Sequence, residues 1–215
     1  LIGGLAGLAG LAGRPRIGPW GQTAVTAAAT WIALGGATLA NTALVMADLL
    51  DDDDVETARR LLPSLCGRDP ATLDGAGLAR AALESVAENT SDAAVAPLCW
   101  AAAGGVPGVL AYRGINTLDA MIGHRSPRYR RFGWAAARLD DVANYLPARL
   151  TAALTAGCAP VVGGSPARAV TVWRRDAARH PSPNAGVVEA GFAGALGVQV
   201  GGRSEEHTSE LQSHH

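Results

Sequence analysis

The chain has 215 residues, of which 48% are hydrophobic, 17% charged and 5% aromatic, and its formal net charge is −1. Soluble domains carry about a quarter charged residues, so this low content favours a protein with much of its surface in lipid. A net charge near zero excludes a globally basic nucleic-acid binder. The chain contains no Lys, which excludes a Lys-containing phosphate loop. The three cysteines form no CxxC pair and are expected to be reduced.

Both ends of the chain look artificial. It begins at Leu1 within an apolar pattern, with neither Met nor a charged leader, which predicts a truncated start. Residues 203–215, RSEEHTSELQSHH, are abruptly polar and resemble a translated sequencing adapter. We therefore expect a single helical membrane domain over residues 1–202, truncated at both ends, followed by an extraneous disordered tail.

The first long apolar stretch runs from Thr23 to Ala47 without a charge. At about 25 residues it is long enough to cross a ~30 Å hydrocarbon core as one helix. Its many Ala, Gly and Thr residues suit close helix packing in lipid. A buried helix of a soluble bundle is the alternative.

A second uncharged stretch, Ala93 to Tyr112, is interrupted by Gly and Pro at 104–108. Each half has roughly 10 residues and is too short to span a bilayer. A spanning segment would place Asp92 and Asn116 on opposite faces, whereas a re-entrant hairpin would bring them together on one face. We favour the hairpin, because broken helices are tolerated at depth where protein covers them.

The rest of the chain also shows helical patterns. Asp74 is a candidate N-cap for a helix that begins near Gly77. No strand-like alternation is present, so the predicted fold is an all-α, polytopic integral-membrane bundle. The Arg-rich loop 124–131 indicates that its polar motif cluster faces the cytoplasm. The further predicted segments are a short amphipathic helix over 55–65, a helix over 132–145, an apolar stretch over 150–164, a polar helix over 167–179 and an apolar end over 185–202.

The first candidate motif is Glu84, Glu88 and Asp92, whose spacing of four places them along one helical face. Like charges at this spacing destabilise a helix, so the three carboxylates favour a cation. Mg²⁺ held by carboxylates and substrate phosphates would meet that need. A solvated face paired with Arg80 is the alternative.

The second motif places Asn116 and Asp119 on one helical face, after Arg113 and before His124. An Asp among Ile, Leu and Met is costly to bury without a partner. Asp119 is therefore either functional or simply paired with Arg113 or Arg138. His124 stands among arginines that include Arg125 and Arg128, which disfavour its charged form and could bind phosphate with it.

The third motif contains Asp140 and Asp141 followed by Asn144, all with hard oxygen ligands. A structural Arg138–Asp141 pair at i,i+3 is the competing interpretation.

The fourth motif is a turn that presents Ser182 and Asn184 between prolines. Asp176 lies four residues before His180, so its carboxylate could orient the imidazole. A lone His in such a loop is more often structural than catalytic.

Taken together, three segments of the chain resemble the CobD/CbiB family of cobalamin biosynthesis. These are ESVAENTSD at 84–92, YRGINTLDAMIGHRSPRYRRFGWAAARLDDVANYLPARL at 112–150 and RRDAARHPSPNAG at 174–186. The resemblance covers about residues 61–202. A Gly-Asp-Pro and His-Pro segment typical of the family's N-terminus, and everything after 202, are missing, so the chain as given can be inactive.

The resemblance implies an integral membrane enzyme of the inner membrane that joins adenosylcobyric acid to aminopropanol or its phosphate in an ATP-dependent amide ligation. ATP and Mg²⁺ are implied as cofactors, membrane lipid as the surroundings, and other cobalamin-biosynthesis enzymes as possible partners; no nucleic acid is expected. The expected metal ligands are Glu84, Glu88 and Asp92. The expected catalytic residues are Asp119, Asp140, Asp141, Asp176 and His180. The expected substrate- and phosphate-binding residues are Arg113, Asn116, His124, Arg125, Arg128, Arg138, Asn144, Ser182 and Asn184.

The sequence leaves two other classes of function open. Broken helices and membrane-embedded charges also mark transporters, although the internal repeats of many transporters are absent from this sequence. A membrane-bound hydrolase or a non-catalytic partner in a corrinoid assembly could share similar helices, because fold alone does not decide function.

Overall fold

The computed structural model describes residues 18–123 and 132–201, and these parts of the chain contain helices and no strand. The predicted all-α class is confirmed for them. The helices are α1 Pro19–Ala33, α2 Gly36–Asp51, α3 Val55–Leu61, α4 Gly75–Thr90, α5 Ala96–Ile122, α6 Phe132–Cys158, α7 Pro166–Asp176 and α8 Ala185–Leu196. A π-helical turn, Ser91–Val95, joins α4 to α5, and 3-10 turns occupy Leu62–Ser64, Pro70–Thr72, Ala159–Val162 and Ala177–Arg179.

Short polar side chains set where several helices begin. The Asp74 carboxylate accepts a hydrogen bond from the Gly77 backbone N–H at 2.8 Å, so the predicted cap is confirmed and α4 begins at Gly75. Asp54 caps α3 in the same way at 3.1 Å. Such caps satisfy backbone donors that the first turn of a helix leaves free.

The first apolar stretch is broken, and the prediction of one continuous helix there is wrong. Leu34 is extended, with φ −76° and ψ 127°, which separates α1 from α2. The Gly35 N–H donates to the Ala93 carbonyl at 2.9 Å, and a Cβ on Gly35 would lie 3.2 Å from that of Ala93. The break therefore allows close contact with the chain just before α5.

The second apolar stretch folds back on itself, which confirms the predicted hairpin. Gly105, with φ 57° and ψ −147°, turns the chain within α5. Gly108 allows the close approach of the two arms, because a Cβ there would lie 2.4 Å from the Trp100 carbonyl oxygen. The rings of Trp100 and Tyr112 stack across the arms with centroids 6.5 Å apart. Residues just before and after the hairpin therefore meet.

A proline within α6 frees a backbone carbonyl that then bonds to the hairpin. The predicted helix over 132–145 continues through Pro147 to Cys158, so it includes much of the stretch predicted separately over 150–164. Pro147 has no N–H, so the Ala143 carbonyl loses its helical donor. Trp100 supplies one instead, through Nε1 at 3.1 Å from that carbonyl oxygen. This bond fixes the hairpin against α6 beside the polar residues described below.

Small residues permit tight packing elsewhere. A Cβ on Gly194 of α8 would lie 2.7 Å from the Ala169 Cα of α7, so only Gly fits at that approach. A separate apolar core lies between α2, α3 and α4, where Met46, Leu62 and Leu78 are almost fully buried. Ala87 of α4 and Val188 of α8 pack together with Ala148 of α6, so the polar side chains of α4 and α8 lie close to one another.

Two segments are long and apolar enough to cross a membrane by length and composition, namely Pro19–Asp51 and Gly75–Ile122. In the most apolar 18-residue stretch of each segment, only 11% and 17% of the residues are buried, whereas core helices of soluble proteins are mostly buried. Trp31 and Ile32 are 79% and 83% exposed. Large apolar groups on a surface mark contact with lipid or another protein.

Candidate functional site

A polar cavity of about 250 Å³ lies where α4, the π-helical turn after it, the second arm of α5, α6 and the start of α8 meet. We call it the acidic cavity, because four carboxylates line it. All four sequence motifs contribute to it, although they span almost a hundred residues of chain. Its lining residues are Glu88, Ser91, Asp92, Asp119, Asp140, Asn144, Ala148, Ser182, Asn184, Ala185 and Val188.

A buried hydrogen-bond network holds one wall of the cavity. Asn144 is 1% exposed, and its Nδ2 donates to Asp140 Oδ2 at 3.0 Å. The fully buried Tyr112 hydroxyl lies 2.9 Å from Asn144 Oδ1 and 3.0 Å from the Asp92 carbonyl oxygen, and can donate to either. Because buried polar groups are costly when unpaired, this network fixes the rotamer of Asn144 and the direction of Asp140.

Asn116 links two of the carboxylates. Its Nδ2 lies 3.4 Å from Asp92 Oδ2 and 3.4 Å from Asp140 Oδ1, and its Oδ1 lies 3.4 Å from Arg113 Nη1. Burial raises the pKa of Asp140, although hydrogen bonds from Asn144 and Asn116 oppose that shift. Asp140 therefore retains its proton to higher pH than an exposed Asp, which suits a group that exchanges protons with a ligand.

The turn before α8 closes the opposite wall. Asn184 Nδ2 donates to the Asp141 carbonyl at 2.8 Å, and Arg149 Nη1 donates to Asn184 Oδ1 at 2.9 Å. Arg149 also lies over the Tyr145 ring, 3.5 Å from its centroid. The Ser182 hydroxyl accepts from the Ala185 N–H at 3.2 Å. The predicted binding residues Ser182 and Asn184 thus line the cavity and also anchor the turn.

The three carboxylates predicted as one metal site have different neighbours. Glu84 is 4% exposed and forms an ion pair with Arg68 at 2.6 Å, not with Arg80. It also accepts from the Gly201 N–H at 2.8 Å. Glu88 and Asp92 line the acidic cavity. Glu84 is therefore occupied by a protein cation, while the other two face the cavity.

Glu88 also belongs to a second group that sequence reasoning missed. One ligand atom each of Glu88, His180 and Glu189 lies within 4.8 Å of the other two. Burial and the neighbouring Glu84 charge raise the pKa of Glu189 to about 7. Glu189 is the single charge in the predicted apolar end over 185–202, and an isolated acid in an apolar segment is a signal of function that could have identified it.

Some predicted site residues lie elsewhere. Asp141 pairs with Arg138 at 3.4 Å, which confirms the structural alternative for this pair.

Asp176 does not orient His180 as predicted: it pairs with Arg175 and Arg179, and hydrogen bonding from Arg175 lowers its pKa. The 3-10 turn Ala177–Arg179 interrupts the helix between Asp176 and His180 and removes their expected i,i+4 geometry. His124, Arg125 and Arg128 lie outside the described residues.

Over residues 18–123 and 132–201, the fold and the site define an all-helical protein that has two candidate membrane spans and a cavity rich in carboxylates. The family model described as CobD/Cbib protein matches residues 1–213. The chain therefore belongs to the CobD/CbiB family, and the resemblance stated from its motifs is confirmed.

Proteins named "Cobalamin biosynthesis protein CobD" are similar to this chain. The one from Mycobacterium tuberculosis is 72% identical over 189 residues, which are 88% of this chain and 60% of that protein. The one from Rhodobacter capsulatus is 54% identical over 149 residues, 69% of this chain and 46% of that protein. The one from Brucella melitensis is 50% identical over 173 residues, 80% and 53% respectively. This chain thus spans about half to three fifths of these relatives. No solved structure matches it.

Proposed function

We propose that the protein acts in cobalamin biosynthesis as a membrane ligase, joining adenosylcobyric acid to aminopropanol or its phosphate with ATP. The observation that supports this most is the convergence of four separate motifs on the acidic cavity. Aspartates from three elements, together with amides and hydroxyls, meet in about 250 Å³, a volume suited to a small polar substrate. The names of the relatives support the pathway, and the cavity supports the type of chemistry.

The proposed reaction has two steps. An unactivated carboxylate cannot form an amide at a useful rate, so it first attacks the γ-phosphorus of ATP, giving an acyl phosphate and ADP. The amine then attacks the acyl carbon, and phosphate leaves. The amine must lose its proton to act as a nucleophile, which requires a nearby base.

The acidic cavity is suited to bind the amine. No arginine lines it among the described residues, so a cationic group is favoured there over a phosphate. Asp92 and Asp140 can accept hydrogen bonds from an ammonium group, and the raised pKa of Asp140 suits it to take the proton. The amide of Asn116, between the two carboxylates, keeps them in position. Phosphate groups would be bound by Arg113 at the rim and by the arginines of 124–131, as the sequence predicts.

The donor set of the cavity also fits Mg²⁺. Asp92 and Asp119 offer the carboxylate oxygens that this ion prefers, which leaves Asp140 to act as the base. When bound, Mg²⁺ would neutralise nucleotide phosphate charge. Asp92 and Asp119 replace Glu84 in the proposed ligand set, because Glu84 already pairs with Arg68.

A multi-pass location in the inner membrane follows from the same proposal. The two candidate spans support insertion, and the arginines of 124–131 support a cytoplasmic active face. ATP is a cytoplasmic substrate, so this orientation agrees with the reaction.

A single assay tests the proposal. The protein, purified in detergent, is incubated with ATP, Mg²⁺, adenosylcobyric acid and either aminopropanol or its phosphate, and the products are read by mass spectrometry. The mycobacterial relative, treated identically, controls for substrate quality. We expect an amide product and one ADP per amide formed. Product from the mycobacterial relative and none from this protein would rule out the ligase for this chain, and amide formation without nucleotide would rule out the ATP step. Uptake of corrinoid into vesicles without any amide would instead support a transporter.

A further inference from the structure

We propose that Glu88, His180 and Glu189 form a divalent-cation site with one imidazole and two carboxylate ligands, separate from the aspartates of the acidic cavity. The three ligand atoms lie within 4.8 Å of one another and come from α4, the turn after α7, and α8. Metal–ligand bonds of about 2.1 Å place ligand atoms roughly 3 to 4 Å apart, so only small side-chain movements are needed. We call this group the histidine cluster.

The backbone is shaped to hold the imidazole at this place. Gly186, at the start of α8, lies against His180, and a Cβ there would be 2.5 Å from the His180 Cβ and 2.4 Å from the Ala177 carbonyl oxygen. The imidazole thereby reaches Glu189, with Nε2 3.7 Å from Oε1. Any larger residue at 186 would force these elements apart.

The other ring nitrogen is held by the backbone of the same turn. His180 Nδ1 accepts a hydrogen bond from the Ser182 N–H at 3.0 Å and lies 3.3 Å from the Ser182 carbonyl oxygen. These contacts hold the ring so that Nε2 faces the glutamates. Metal binding through Nε2 requires the proton on Nδ1, which would then donate to the Ser182 carbonyl instead of accepting from the N–H.

The local charge also favours a cation. Glu88 is half-buried, Glu189 is 8% exposed, and the nearby Arg68 is already ion-paired with Glu84. His180 is the basic side chain of the cluster, with its Nε2 3.7 Å from Glu189 Oε1. Buried carboxylates are costly unless they are paired or coordinate a metal.

An independent observation at Ser91 also points to a ligand. Ser91 is 1% exposed, and its Oγ is buried without a hydrogen-bond partner, although Ser and Thr in helices commonly donate to the preceding turn. Ser91 lies in the π-helical turn three residues after Glu88, and both residues line the acidic cavity. Such turns occur often at functional sites. A hydrated cation on Glu88 would supply a water partner for this hydroxyl.

The mixture of ligands indicates which cations bind. Carboxylates and one imidazole suit Mn²⁺, Fe²⁺ or Zn²⁺, whereas Mg²⁺ prefers oxygen ligands and retained waters. The histidine cluster is therefore expected to prefer transition metals over Mg²⁺.

Mn²⁺ provides a direct test that does not depend on the ligase reaction. The 215-residue chain is purified in detergent through a streptavidin-binding tag, stripped with a chelator and titrated with Mn²⁺ alone. Electron spin-echo modulation then detects nitrogen bound to the ion. We expect nitrogen coupling in the unaltered chain, its loss in His180→Gln, and an affinity for Mn²⁺ lowered about tenfold or more in Glu189→Gln.

Matched variants locate the nitrogen. His124→Gln should retain the coupling, and so should Asp92→Asn, which removes a carboxylate of the acidic cavity but none of the histidine cluster. Nitrogen coupling that survives His180→Gln would overturn the proposal, as would a bound Mn²⁺ without nitrogen coupling in the unaltered chain. Helical circular dichroism on each variant verifies folding, and if His180→Gln does not fold, an unchanged affinity for Mn²⁺ in Glu189→Gln overturns the proposal. A ligase that fails in the assay above leaves this test unaffected.

Discussion

Two of the cavities among the described residues differ in size and in how their polar groups are used. The larger, about 810 Å³, lies between α1 and the first arm of α5 and has a mainly apolar lining. Two of its polar side chains, Thr23 and Thr30, donate to carbonyls of their own helix, at 3.0 and 2.8 Å. The acidic cavity is smaller, at about 250 Å³, yet its polar groups bond across four elements of the chain.

This difference shows that cavity volume alone does not identify the site of chemistry. A threonine bonded within its own helix needs no partner elsewhere and imposes nothing on tertiary structure. A buried Asn or Asp bonded to another element fixes the geometry of both, which a reacting group requires. The apolar cavity is accordingly expected to tolerate substitution, and the acidic cavity is not.

The largest expected effect comes from Asp140→Asn. This change preserves shape but removes the proposed base, and loss of such a group lowers rates by about 10²- to 10⁴-fold. The measurement is the rate of amide formation by mass spectrometry. Asp141→Asn is the matched control, since Asp141 pairs with Arg138, and a half-exposed ion pair contributes little. We expect less than about a threefold loss there. Equal losses at the two positions would contradict the assignment of Asp140.

A backbone contact in the hairpin gives the next largest effect. Gly108→Ala puts a methyl group against the Trp100 carbonyl, which cannot move without opening the hairpin. We expect the free energy of unfolding to fall by about 3 kcal/mol. Thermal unfolding in detergent, followed by circular dichroism, measures it.

Gly104→Ala is the control for that substitution. A Cβ at 104 meets nothing within 4 Å, so this variant should be neutral or more stable by up to about 1 kcal/mol. If both alanine variants were equally stable, the close contact between the arms would be refuted.

Sequence patterns predicted features that depend on neighbouring residues. The Asp74 cap depends on a donor three residues away, and the hairpin depends on Gly and Pro within 104–108, so both could be predicted locally. The family resemblance was likewise carried by continuous motifs and is confirmed. The hairpin also predicts that the motifs converge, because the turn brings Asp92 to Asn116.

Features that depend on distant contacts were missed. Gly35 breaks the first apolar stretch because it approaches Ala93, almost sixty residues away. Asp140 and Asp141 have the same side chain, and only the packing of α6 turns one to the cavity and the other to Arg138. Spacing predicts the same role of metal ligand for Glu84 and Glu88, because spacing cannot reveal that Arg68 pairs with Glu84 and not with Glu88.

The smallest expected effect comes from a comparison of two hydroxyls, one bonded to a residue of the acidic cavity and one in the apolar cavity. Tyr112→Phe removes the donor shared by Asn144 Oδ1 and the Asp92 carbonyl, and leaves a buried acceptor unpaired. We expect a loss of about 1–2 kcal/mol in the free energy of unfolding. Thr30→Val removes a hydroxyl of similar burial that donates to the Thr26 carbonyl of its own helix, and should change stability by less than about 0.5 kcal/mol. Thermal unfolding of the two variants under the same conditions measures the difference. A Thr30→Val loss as large as that of Tyr112→Phe would mean that burial, rather than bonding between elements, sets the importance of a polar group in this protein.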